Sequence, residues 1–194
     1  MWFKELFFNP ELLRPIPEIR PILNMYGKKI EQTEAIANND LGIPHYVYDI
    51  RLNDISEGKG IPEEPSALRI LDMKDDAPIA FYDLGLNEKN PELIQMNTNH
   101  RYFELLDRTM GKLKRVDSEN KDVGELRSIR IPALNLEAMW LKYQGKTKDL
   151  ISVLPRFDYH HIKTDILYSP EEFIKLAREE VKEMGNLDDD TIGS

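Results

Sequence analysis

The sequence predicts an α+β fold: a mostly antiparallel sheet packed by about three helices, ending in a long C-terminal amphipathic helix. Two patterns carry this expectation. Between His45 and Leu84, runs rich in β-branched and aromatic residues alternate with period two, the spacing of strands. Across Tyr102–Leu113 and Phe173–Met184, apolar residues recur every three or four positions, the spacing of a helix face.

The elements follow in chain order. Residues 1–20 form a segment punctuated by Pro10, Pro15 and Pro17, in which Trp2, Phe3, Leu6 and Phe7 fall at helical spacing. A helix is expected from Pro21, where Ile22, Tyr26, Ile30, Thr33 and Ala37 share a face and Asn38-Asn39 ends it. His45–Leu52 alternates as a half-buried strand, and Gly58–Pro65 reads as a loop. Ala67–Met73 and Ile79–Leu84 are expected to pair as a hairpin through Lys74–Pro78. Thr98 or Asn99 caps a helix to about Leu113, and Asp117–Gly124 is polar and loop-like.

Arg127–Tyr143 is the most hydrophobic block. Ser128–Ile131 alternates like a strand, while residues 134–143 suit strand or helix; strand is favoured, with Gln144–Thr147 turning into Asp149–Leu154. Ser169, Pro170 and Glu172 then supply an N-cap, a first-turn proline and a capping-box glutamate. Phe173, Ile174, Ala177, Val181 and Met184 form the buried face, and Gly185 is placed to end the helix. Residues 186–194 are then a flexible acidic tail. With no internal repeat, residues 1–194 read as a single domain.

Composition narrows the function classes. The chain has no cysteine, which removes disulfides, thiolate metal sites and a cysteine nucleophile. The net charge of −9, from 26 basic and 35 acidic residues, disfavours nucleic acid as a partner. No run approaches the ~20 apolar residues of a membrane span. Lys4, Glu5 and Pro10 interrupt the apolar run a secretory signal needs, so the expected location is the cytoplasm. Ser169–Asp190 holds eight acidic residues against three basic ones, a local −5 that would steer a basic partner.

Motifs for chemistry are weak. Gly145-Lys146-Thr147 resembles the end of a phosphate-binding loop, but Trp140 or Leu141 stands where the earlier glycine belongs, and a strand follows in place of a helix. No serine has the context of a nucleophile. The densest group of possible ligands is Asp158, His160 and His161 with Asp165 nearby, where imidazole and carboxylate could hold a metal or move a proton. A polar loop before the last helix explains the same residues more simply. His45 and Asp49 read as surface side chains, and Trp140 as core.

Two functions therefore compete. The favoured one is a non-catalytic cytoplasmic binding or accessory protein without cofactor or metal. It would meet another protein, in keeping with its charge a basic one, through Trp2, Phe3 and Phe7 or through Glu179, Glu180 and Glu183; self-association through the same apolar residues is the related option. The alternative is a small metal-assisted hydrolase or lyase using His160 or His161 with Asp158 and Asp165.

Overall fold

A computed structural model describes residues 41–190 other than 75–76, 91 and 121, with the backbone alone for 41–43, 74 and 185–190. The segments read around Trp2, Phe3 and Phe7 and after Pro21 lie outside the described residues. The strands are β1 (Leu41–Asp49), β2 (Ala67–Lys74), β3 (Ala77–Leu84), β4 (Leu93–Asn97), β5 (Glu125–Ile131), β6 (Leu136–Lys142), β7 (Leu150–Val153) and β8 (Leu167–Tyr168). The described α-helices are α1 (Leu52–Ser56), α2 (His100–Glu119) and α3 (Pro170–Asp190).

All eight described strands join one sheet in the order β4-β3-β2-β1-β5-β6-β7-β8. Every neighbouring pair is antiparallel except β1 and β5, which run parallel at the centre. The chain thus makes two successive four-stranded meanders, each followed by a long helix, joined through their first strands. The two helices lie on opposite faces. Met139 and Leu141 of β6 pack in the cluster holding Phe103, Leu106 and Met110 of α2. Their neighbours Ala138 and Trp140 point the other way, into the cluster of Phe173 and Ala177 from α3. This is why β6 is buried on both faces, whereas β1 keeps Tyr46 and Asp49 partly exposed.

The hairpin of β2 and β3 forms as expected, with a register shift between Asp72 and Met73. Asn99 caps α2 by accepting the Tyr102 N–H. That helix continues past Leu113 to Glu119, because its polar last turn has work inside the fold: Asp117 is buried and accepts the Gly124 N–H at 2.9 Å. The ambiguous block is two strands, β5 and β6, separated by a 3₁₀ turn at Pro132–Leu134. Asn135 closes that turn at φ 49°, left-handed backbone that asparagine tolerates better than most residues.

Three differences from the sequence reading have plain causes. The first strand ends at Asp49; Leu52 instead begins α1, which seals Ile55 into the core. The short strands β4 and β8 carry too little alternation to be read. The capping box of Ser169 and Glu172 forms in both directions, but α3 runs through Gly185 to Asp190. A glycine inside a helix costs only about 1 kcal/mol.

Candidate functional site

The face of the sheet that α2 covers carries a lattice of charge. Register builds it. Asp49 of β1 lies beside Arg130 of β5, and Arg130 opposite Glu137 of β6. Arg69 of β2 lies opposite Asp83 of β3, and Asp83 opposite Gln95 of β4. Because facing residues in paired strands share a side of the sheet, the two rows converge.

Arg69 is the centre, only 1% exposed. Its Nε and Nη2 donate to the two carboxylate oxygens of Asp83 at 2.6 and 2.9 Å, and its Nη1 donates to Glu137 and to the Tyr102 hydroxyl. That hydroxyl in turn donates to Glu137 at 2.8 Å. The Phe81 ring lies 3.7 Å from the guanidinium, closing it off from below. Arg130 grips Asp49 through two parallel bonds at 2.6 and 2.8 Å and reaches Asp83 and Gln95 with Nη1. Three arginines (69, 130 and 156) meet three carboxylates (49, 83 and 137), so the group is neutral as a whole.

Protonation follows from this pairing. Burial pushes the Glu137 carboxyl up, but the charge and hydrogen bonds of Arg69, with the Tyr102 hydroxyl, outweigh it and hold Glu137 below its usual range. Asp49 is lowered in the same way, Arg130 overcoming the effect of burial. Burial drives the Tyr102 phenol well above its ordinary value. Near neutral pH these two carboxylates are charged and the phenol is protonated. None of the three is poised to exchange a proton.

The lattice opens into a cleft of about 550 Å³, where Arg130, Glu137, Asp49 and Gln95 meet Ile94, Pro132, Leu136 and Arg156. Arg156 is held differently from the other two arginines. Its Nη1 stands 3.6 Å from Glu137, its side chain is 34% exposed, and it lies over the Tyr102 and Phe157 rings at 5.7 and 5.8 Å. The result is an aromatic-backed cation at the mouth of a polar cleft.

A second cleft of about 590 Å³ lies by the N-terminus of α3, with Trp140 in its wall and Lys142, Lys175 and Arg178 around it. Trp140 itself is buried, edge-on to Tyr48, and donates to Asp149 at 3.2 Å. Lys142 is paired with Asp149, and Arg178 donates to the Ser56 carbonyl.

The residues singled out from sequence fall elsewhere. Asp158, His160, His161 and Asp165 are all exposed on the loop before β8. Among the described residues, no group of three or more His, Asp or Glu is arranged to hold a metal. Glu180 is turned inward, away from any partner: it is buried, and its carboxylate accepts the backbone N–H groups of His161 and Ile162. Glu179 is half-buried and Glu183 exposed. Without Glu180, Pro170–Met184 keeps four acidic residues against three basic, a net −1, so the acidic field over the described side chains of α3 is slight.

His45 is a surface residue only on paper. It is fully buried in the central strand, 2.9 Å from Ser128 Oγ. Neither residue lines either cleft, so this serine–histidine contact is a core hydrogen bond. The lattice itself was missed. Its signal is a charge set between apolar neighbours in each strand, at Arg69, Asp83, Arg130 and Glu137, with signs that match only once the strands are paired.

No family model, curated protein or solved structure matches the chain. Among the described residues, no helix is long and apolar enough to cross a membrane.

Proposed function

We propose that the chain is a non-catalytic cytoplasmic protein-binding domain, whose cleft beside Arg156 receives a polar segment of another protein. One observation carries this reading: in the cleft onto which the charged lattice opens, Glu137 and Asp49 are committed to arginines and held ionised, which suits recognition and leaves no acid–base pair for turnover. Arg156 offers the contact. A guanidinium backed by aromatic rings and held by one long ion pair exchanges that partner for an incoming carboxylate at small cost. Pro132, Leu136 and Ile94 supply apolar surface around it. The exposed histidine loop lends no support to a metal-assisted hydrolase.

The test is photo-crosslinking in the native host, with the reactive group placed at Phe157, which is exposed beside Arg156. A discrete adduct with a second polypeptide, lost on Arg156→Glu, is the expected result. An adduct indifferent to Arg156→Glu, or no adduct, refutes the reading.

A further inference from the structure

Among the described residues, strand β4 forms one edge of the sheet and pairs only with β3. Edge strands in monomeric proteins are usually blunted by charge or proline, since their free N–H and C=O groups otherwise template another strand. Leu93-Ile-Gln-Met-Asn97 has neither, in a chain of which 31% is charged. Ile94 is 54% exposed and Met96 36%, so the edge also presents apolar side chains.

We infer that β4 pairs antiparallel with β4 of a second copy of this chain, making one continuous sheet across a two-fold axis at Gln95. The register decides the occupant. Placing Gln95 opposite its counterpart sets Ile94 against Met96 of the other copy, and Met96 against its Ile94. The same five residues thus form two apolar cross-strand pairs with themselves. A partner of opposite charge finds no acidic side chain on this strand to recognise. Gln95 also binds Arg130 at the floor of the cleft, so the added strand extends that floor with residues of the second copy. The inference does not depend on what the cleft binds.

Pairing along five residues buries far less than a standard interface, so the dimer forms in the micromolar to millimolar range. Sedimentation velocity of the full chain over that range is the test, with amide exchange as an independent measurement. The weight-average mass should rise towards two chains, and the Leu93–Asn97 amides should gain protection with concentration. Ile94→Lys and Met96→Lys should each weaken association by about tenfold or more, since each buries a charge twice in a two-fold interface. Both positions are exposed already, so the monomers should keep their circular dichroism. Arg156→Glu should leave the dimer unchanged, which separates this test from that of the cleft. A single-chain mass throughout, a dimer indifferent to both lysines, or protection gained elsewhere than β4 overturns the inference.

Discussion

Replacing Arg69 by methionine keeps the volume and apolar stem of the side chain and deletes its charge. The wild-type guanidinium donates four hydrogen bonds: two to Asp83, one to Glu137 and one to Tyr102. Removing one partner from a buried ion pair costs about 3–5 kcal/mol, because the remaining charge is stranded. Here Asp83 keeps Arg130, and Glu137 keeps Tyr102 and Arg156, so the lower end applies. A loss of about 3 kcal/mol lowers Tm by about 6–12 °C in a chain of this length.

The pH dependence distinguishes stranded charge from lost packing. In the wild type, the folded pKa values of Asp49 and Glu137 are depressed. Their contribution is present above about pH 4, the unfolded range, and is lost as pH falls through the folded values. Without Arg69, burial dominates at Glu137 and its folded pKa rises above the unfolded value. Such a carboxylate destabilises the fold at neutral pH and is relieved by taking a proton. The penalty of Arg69→Met should therefore shrink between about pH 7 and about pH 5, measured by urea unfolding with the slope m held common. A loss under about 1 kcal/mol, or one equal at both pH values, refutes the claim that this lattice is held by charge.

Two further outcomes test the fold. Glu180→Ala removes the acceptor for two backbone N–H groups, so it should cost about 1–3 kcal/mol and speed amide exchange at His161 and Ile162; unchanged exchange would mean the carboxylate does not hold this loop. Gly124→Ala would set a Cβ 2.4 Å from Cδ1 of the buried Leu141. Overpacking there should lower stability by about 1–3 kcal/mol, and a neutral result in calorimetry would show that Leu141 has room to move.

Periodicity made much of this protein legible. The hairpin of β2 and β3, the Asn99 cap of α2 and the capping box of α3 are local devices, each set by residues within a few positions of one another. The residues 134–143 could not be assigned the same way. A strand buried on both faces loses its alternation, and Leu136–Lys142 sits between β5 and β7 with a helix on either side. Two strands of β4 and β8 length show no period at all.

The lattice illustrates the deeper limit. Arg69 and Glu137 are 68 residues apart, and Asp49 and Arg130 are 81 apart. Nothing near any of them in sequence names the partner. Glu180 looked like one more acid on an exposed helix until the loop of His161 packed beneath it. His45 looked polar and therefore exposed until its strand became the centre of the sheet. The sequence by itself determined the fold class, the N-terminal caps of α2 and α3 and the longer strand segments, because those rest on backbone conformation and hydrogen bonding between near neighbours. Which charges are buried, which of them pair, and which of the described strands lie at the edges of the sheet were decided only by tertiary structure. Strand order and register bring distant side chains within the few ångströms over which desolvation and ion pairing act.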